Sequence, residues 1–185
     1  GSSGQLRQFG YDPLRQVIGS HFDMVSSLPL GPDYKINPGD QLQVTIWGNV
    51  NETFPLTVDE RGVANLPKVG VIQLAGLSLE HARDLLYRRL VSVFAAEFNL
   101  DLTIKDVGSI KVYMVGEMSR PGAYTLRANS SIYDAVFLGG APTANGSLRN
   151  VELVRNGVQI KTFDLYKFLL SGDRKDDILL QSGDV

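Results

Sequence analysis

The sequence contains no cysteine among its 185 residues. Disulfides, thiol catalysis and thiolate metal sites are therefore excluded, and the cytoplasm and the bacterial periplasm fit this composition equally well. The chain also lacks any apolar run near the ~20 residues of a membrane-spanning helix. The opening Gly1-Ser2-Ser3-Gly4 shows no signal-peptide pattern and fits either a tag remnant or the start of a mature fragment.

Excess charge of one sign is missing as well. Lys and Arg number 18 and Asp and Glu number 20, which gives a net charge of −2. Bulk electrostatic attraction to nucleic acid or to anionic lipid is therefore excluded. The 19 glycines and 8 prolines predict many tight turns and hence many strands.

Motifs for catalysis and for metal binding are absent from the sequence. There is no P-loop, no glycine-rich dinucleotide motif and no nucleophile elbow. His21 and His81 stand apart and are interpreted as surface residues, and Asp59-Glu60 as a hairpin tip. An acidic cluster lacks EF-hand spacing and is interpreted as a solvated turn: Asp173, Asp176 and Asp177. No enzyme activity, metal or cofactor is predicted.

Residues 31–106 predict a small α+β unit. Asn37-Pro38-Gly39-Asp40 is a turn in which Pro38 fixes φ and Gly39 takes a positive φ. Alternating apolar residues over 41–47 then predict a half-buried strand, and further hairpins follow, one of which turns at Gly62. Apolar residues at helical spacing predict a helix over 78–94 with Ser78 as its cap.

Residues 107–185 predict a second unit. A strand over 110–115 is followed by a turn at Pro121-Gly122, and a helix follows Ser131. Asn156-Gly157 predicts a hairpin, and a short helix and a last strand from Ile178 follow. This order of elements is typical of a β-grasp domain.

One segment of the chain repeats another. Leu180-Gln181-Ser182-Gly183-Asp184-Val185 is similar to residues 36–42, where Gly39-Asp40 leads into the predicted strand. Either copy alone is explained by the frequency of Gly-Asp in turns. Together they predict that the chain stops within a strand and is a piece of a longer protein.

Trp47 lies on the polar face of its predicted strand, opposite the apolar stripe. Three interpretations are open, and they are ranked in the following order. The ring packs under the helix on the second face of the sheet, fills an interface between domains or subunits, or stacks on a sugar ring. Tyr113 and Tyr124 allow the same three interpretations in the same order.

The motifs resemble those of one family. YKINPGDQLQV at residues 34–44, VDERGVANLPKVG at 58–70 and AGLSLEHA at 75–82 resemble the polysaccharide export domain of Wza-type outer-membrane exporters. VYMVGEMSRPGAY at residues 112–124 resembles the start of an SLBB domain, the β-grasp module that follows in those exporters. FGYD at residues 9–12 is similar to a segment that precedes the export domain in longer members.

The resemblance implies a domain order and a role. An N-terminal extension and linker would span residues 1–30, the α/β export domain 31–106, and the SLBB domain 107–185, truncated at its C-terminal strand. It implies a periplasmic homo-oligomeric ring at the outer membrane of a Gram-negative bacterium. Capsular or extracellular polysaccharide would pass through this ring from an inner-membrane copolymerase.

The sequence departs from the family pattern at three points. It lacks the lipidated N-terminal cysteine of many members, the C-terminal membrane-spanning segment, and any further SLBB repeat. Attachment to the membrane is therefore expected through parts outside this chain. The alternative to a conduit is a soluble periplasmic carbohydrate-binding module, in which Trp47, Tyr113 and Tyr124 would contact sugar.

Overall fold

The computed structural model describes residues 30–140, 142–143, 146–147 and 149–185. The predictions made for residues 1–29, including His21 and the FGYD segment, lie outside the described residues. The described chain divides into two compact units. The first contains residues 30–110 and Arg127–Asn129, and the second contains Lys111–Leu126 and Ser130–Val185.

Helices and antiparallel sheets are mixed, so the predicted α+β class is confirmed. Within the described residues the elements follow in this order: β1 Gln41–Gly48, β2 Glu52–Thr57, β3 Val63–Leu66, β4 Gly70–Gln73, α1 Leu79–Phe94, β5 Phe98–Asp106, β6 Ser109–Met114, β7 Gly122–Arg127, α2 Ile132–Leu138, β8 Val151–Arg155, β9 Val158–Phe163 and α3 Leu165–Ser171.

The first unit is built around β1, which lies between β2 and β5 and is antiparallel to both. Its alternating pattern buries Leu42, Val44 and Ile46 on one face, as the sequence predicts. These side chains share one apolar core with residues of α1 and of the β3–β4 hairpin. The core of this unit therefore lies on one face of the three-stranded sheet, and Gln43, Thr45 and Trp47 project from the other.

Both ends of the helix α1 are capped by neighbouring residues, Ser78 and Ala95. The hydroxyl of Ser78 accepts a hydrogen bond from the N–H of His81 at 3.2 Å, so the predicted cap is confirmed. At the other end Ala95 adopts a left-handed conformation with φ 48° and donates its N–H to the carbonyl of Val91. The buried face of the helix consists of Ala82, Leu86 and Leu90.

The second unit contains two strand pairs, β6 with β7 and β8 with β9. Asn156 and Gly157 join β8 to β9 with φ values of 53° and 77°, so the predicted hairpin turn is confirmed. Ser131 caps α2 in a reciprocal capping box with Asp134. Gly122 has φ 145° at the start of β7.

The strand predicted from Ile178 is wrong, because only a single bridge joins Leu179 to Ser131. The carbonyl of Ile178 accepts the N–H of Ile132 at 3.0 Å, and the N–H of Leu180 donates to the carbonyl of Ser130 at 2.9 Å. The backbone of this segment therefore completes the hydrogen bonds at the start of α2 instead of forming a regular ladder.

Candidate functional site

A buried aspartate closes the loop that leads into β1. Oδ2 of Asp40 accepts hydrogen bonds from the N–H of Asn37 and the hydroxyl of Tyr34, each at 2.9 Å. Its Oδ1 accepts the N–H of Gly108 at 2.6 Å. Gly39 takes the predicted positive φ, 88°, in this turn. The carboxylate therefore ties the loop, the start of β1 and the chain after β5 together.

Burial shifts the pKa of both members of this pair, Asp40 and Tyr34. It raises the pKa of Asp40 above its ordinary value, although the hydrogen bonds from Asn37, Gly108 and Tyr34 act in the opposite direction. Burial likewise raises the pKa of the Tyr34 hydroxyl. Both side chains are closed off from solvent. The pair therefore stabilises the loop and is not placed to exchange protons with a substrate.

The end of the chain repeats this loop. Oδ2 of Asp184 accepts the N–H of Gln181 at 2.8 Å, and the N–H of Asp184 donates to the carbonyl of Gln181 at 3.1 Å, as Asp40 does with Asn37. Gly183 has φ 92°, close to that of Gly39. The repeat in the sequence is therefore a repeat of backbone structure.

A cleft of about 450 Å³ opens in the second unit, between β6, β8 and α2. Buried apolar side chains line it: Val112, Met114, Ile132, Val136 and Leu153. Glu117, Ser147, Asn150 and Glu152 supply polar groups around it. Its lining is mostly apolar, and none of the described residues that form it is a histidine.

Trp47 is exposed on the outer face of β1, with 45% of its surface accessible. Its neighbour across the sheet is Asn99 of β5, and Thr45 lies opposite Asp101 in the same ladder. The interpretation ranked first, in which Trp47 packs beneath the helix, is therefore wrong. The side chain is available for an interface or for a sugar ring.

The two tyrosines lie in the second unit. Tyr113 is 41% exposed, with Nζ of Lys111 5.9 Å from its ring centroid, and it lines the cleft. Tyr124 is half-buried on β7, and its hydroxyl donates to the carbonyl of Arg120 at 2.5 Å. The interpretation ranked first, in which Tyr113 packs in the core, is therefore wrong. The hydroxyl of Tyr124 therefore ties β7 to Arg120, in the bend that precedes this strand.

The acidic cluster is only in part a solvated turn, since Asp177 is buried. Its Oδ2 pairs with the guanidinium of Arg174 at 2.5 Å, and its Oδ1 accepts the N–H of Tyr133 at 3.3 Å. Asp176 is exposed, as predicted. Within the described ranges no group of three His, Asp or Glu side chains comes together as a metal site.

The sequence did not predict the ion pairs that hold the buried carboxylates of Asp177 and Asp184. Arg155 pairs with Asp184 across 29 positions of the chain. No local spacing marks that pair, although the repeated Gly-Asp marks the loop around it. Asp59 lies in a turn between β2 and β3, where it accepts the N–H groups of Arg61 and Val63. The hairpin predicted there is wrong, because β2 pairs with β1 and β3 pairs with β4 in a separate sheet.

None of the helices in the described part of the chain is both long enough and apolar enough to cross a membrane.

Comparison with known families gives the class of this protein. Residues 28–105 match the family described as polysaccharide biosynthesis/export protein, and residues 111–163 match the SLBB domain. The chain therefore carries an export domain followed by an SLBB domain, in the order that the sequence motifs imply. It is homologous to polysaccharide export outer membrane proteins.

Individual relatives support the same assignment. Two polysialic acid transport proteins KpsD from Escherichia coli are each 30% identical to the chain over 155 residues, which cover 83% of this chain and 28% of the relative. The EPS I polysaccharide export outer membrane protein EpsA from Ralstonia nicotianae is 25% identical over 197 aligned positions, covering 92% of this chain and 51% of the relative. The chain thus spans 28% to 51% of the length of these relatives.

Proposed function

We propose that the chain is the periplasmic part of an outer-membrane exporter of capsular or extracellular polysaccharide, where it forms part of a ring-shaped conduit. The observation that carries this proposal is the consecutive match to the export and SLBB domains. On this proposal the export domain is residues 31–106 and the SLBB domain 107–185. The relatives' names describe transport and export, which supports a function without catalysis.

The side chains of the described residues fit a conduit better than an enzyme. Every buried side-chain nitrogen and oxygen in that part of the chain has a hydrogen-bond partner, so the buried carboxylates are engaged in structure. On the outer face of the first unit's sheet, Gln43 and Thr45 lie beside Thr103 and Asp101. Such short polar side chains can exchange hydrogen bonds with a hydrated, passing polymer without holding it.

The conduit would be a closed homo-oligomer that receives polysaccharide from an inner-membrane copolymerase. Native mass spectrometry of the full-length protein in detergent tests this. We expect one discrete oligomer of several identical subunits. A strict monomer at every concentration would refute the ring. Co-purification with the copolymerase from the same organism, tested with and without detergent-solubilised inner membrane, tests the partner.

A carbohydrate-binding module is the second candidate, and the exposure of Trp47 favours it. Aromatic rings on an open surface can stack on sugar rings, since one face of a sugar is apolar. Calorimetric titration of the chain with oligosaccharide fragments of the exported polymer tests this function. Saturable binding by a monomer that is lost in Trp47→Ala and kept in Val71→Ala would favour the module, because Val71 is also exposed, on β4.

A further inference from the structure

Trp47 is exposed in a polar surround on the outer face of the first unit's sheet. It is the last outward-facing residue of β1, after Gln43 and Thr45. Antiparallel pairing places Asn99 of β5 directly opposite Trp47 and Asp101 directly opposite Thr45. Side chains that face each other across such a pair have Cβ atoms ~5 Å apart, and diagonal neighbours lie ~7–8 Å apart. Asn99 and Asp101 are therefore both within reach of a small ring that rests on the indole.

The rest of this face is almost entirely polar. The strands β1, β2 and β5, which the structure describes throughout, place these further residues on it: Gln41, Gln43, Thr45, Thr53, Pro55, Thr57, Asn99, Asp101, Thr103 and Lys105. The core of an interface between protein subunits is apolar and depleted of charge, which this surround is not. A sugar ring needs one flat apolar surface with hydrogen-bonding groups beside it. The surround of Trp47 therefore favours a sugar over a second subunit.

The backbone beneath Trp47 is held in place by the sheet. β1 is paired on one edge with β2 and on the other with β5. The side chain of Asn51 closes the turn after β1, since it accepts the N–H of Gly48 and donates to the carbonyl of Gly48, each at 3.4 Å. On the inner face Ile46, the neighbour of Trp47, is buried in the apolar core. A surface that is already ordered pays little conformational entropy on binding, so weak contacts with a sugar suffice.

The charged side chains that β5 brings near Trp47 are acidic. Asp101 is exposed, and so is Glu97, which immediately precedes β5. The cation on this face, Lys105, is four residues beyond Asp101 along β5, about 14 Å away. That distance exceeds the screening length of ~8 Å at physiological salt. A ligand on the indole therefore meets a negative potential.

We propose that Thr45, Trp47, Asn99 and Asp101, which we call the sugar platform, bind uncharged sugar residues of a polysaccharide and discriminate against sugars that carry a carboxylate. This role rests on the proposed handling of polysaccharide by the protein. The apolar face of the sugar lies on the indole of Trp47. Its hydroxyls donate to the carboxylate of Asp101 and exchange hydrogen bonds with the amide of Asn99. Asp101 repels a carboxylate on the sugar, and salt weakens that repulsion.

The test compares two hexasaccharides that differ in charge. Mannohexaose and hexamannuronate have the same linkage and ring configuration, and the second carries a carboxylate in place of each primary alcohol. Each is titrated into the chain at low ionic strength while NMR follows the indole N–H of Trp47, a unique signal because the chain contains one tryptophan. The amides of Asn99 and Asp101 report on the rest of the sugar platform. The amide of Phe163, buried in the second unit, is the internal reference.

We expect mannohexaose to shift the signals of Trp47, Asn99 and Asp101 saturably. Hexamannuronate should bind about fourfold more weakly or worse, as one like charge ~5 Å away in water predicts. Asp101→Asn still accepts hydrogen bonds but carries no charge, so it should bring the two affinities within about twofold of each other. Trp47→Ala should abolish binding of mannohexaose, while Val71→Ala, which truncates an exposed side chain on β4, should leave it unchanged.

Equal or tighter binding of hexamannuronate by the original chain, no saturable shift with mannohexaose, or full binding by Trp47→Ala would overturn the proposal. A Trp47 signal that moves with protein concentration and not with sugar would also overturn it, in favour of an interface between copies of the chain. Native mass spectrometry of the full-length protein separates this result from the proposed function. A ring that binds no mannohexaose refutes the sugar platform and keeps the conduit, whereas a monomer that binds it keeps the sugar platform and refutes the conduit.

Discussion

Arg155 holds the buried carboxylate of Asp184 with two parallel hydrogen bonds, from Nε at 2.8 Å and from Nη2 at 2.7 Å. Nη2 also donates to the carbonyl of Leu179 at 3.3 Å. The equivalent carboxylate of the first unit, Asp40, is held by neutral donors instead. One loop structure is thus stabilised in two ways, by a cation in the second unit and by a tyrosine and two backbone amides in the first.

Removal of the guanidinium should destabilise the second unit. Arg155→Ala leaves the carboxylate of Asp184, which is 1% exposed, without its cation. Breaking a buried pair costs about 3–5 kcal/mol, and because Arg155 itself is partly exposed we expect about 2–3 kcal/mol. Urea unfolding followed by NMR signals of β8 and β9 measures this. Arg61→Ala, which breaks the exposed pair with Asp59, should leave the free energy of unfolding nearly unchanged, because solvent screens this pair.

Gly108 should not tolerate a side chain. A Cβ at this position would collide with the carbonyl oxygen of Pro38 and lie 3.0 and 3.1 Å from backbone atoms of Gly39 and Asp40. Backbone atoms cannot move aside without disturbing the Asp40 loop. We expect Gly108→Ala to lower the free energy of unfolding of the first unit by about 1–3 kcal/mol.

Substitution of a second glycine, Gly76, measures the cost of backbone strain without a collision. Gly76 has φ 86°, and a Cβ there would meet nothing within 4 Å. Gly76→Ala should therefore cost only the strain of its conformation, about 1 kcal/mol. Both variants can be measured by denaturant titration of Trp47 fluorescence, because the single tryptophan lies in the first unit. Equal losses would mean that the collision at Gly108 is relieved.

Elements fixed by local signals could be predicted from the sequence. The alternation of Leu42, Val44 and Ile46, the cap at Ser78 and the Asn156-Gly157 turn each depend on residues near in sequence. Their periodicity and turn chemistry act before distant contacts form. The repeat of Gly39-Asp40 at Gly183-Asp184 is of the same kind, because each aspartate binds a backbone N–H three residues earlier.

Features decided by distant contacts could not be predicted. Periodicity placed Trp47 opposite the apolar stripe of β1, but it could not show which face of the sheet would be covered. The core with α1 formed on the Leu42 face alone, which left Trp47 in solvent. The burial of Asp177 likewise depends on Tyr133, 44 positions away.

Leu86 offers a direct test of that core. It is fully buried on α1 and belongs to the apolar cluster that includes the inner face of β1. Leu86→Ala should lower the free energy of unfolding by about 2–5 kcal/mol, since it removes buried methyl groups and leaves a cavity. Val93→Ala on the same helix is the control, because Val93 is 39% exposed and its truncation should cost less than about 1 kcal/mol. Comparable losses for the two would contradict the placement of this core.

The buried carboxylate of Asp40 predicts a characteristic pH dependence of stability. Its pKa in the folded protein is raised by burial above the unfolded value of about 3.9, so the folded state holds its proton more tightly. The stabilisation linked to this proton is complete below the unfolded pKa and is lost as the pH rises through the folded pKa. Asp40→Asn cannot titrate, so the stability of the original chain relative to this variant should fall as the pH rises above the unfolded pKa of about 3.9.

Asp59, in the same unit, should give stability the opposite dependence on pH. The hydrogen bond from the N–H of Val63, helped by Arg61, lowers the pKa of Asp59. Its contribution to stability is therefore present above the unfolded pKa and is lost as the pH falls through the folded pKa. Relative to Asp59→Asn, the original chain should gain stability as the pH rises. Denaturant titrations from pH 3 to 7, followed by Trp47 fluorescence, compare both variants with the original chain. Slopes of the same sign would mean that hydrogen bonding, and not burial, controls the ionisation of Asp40.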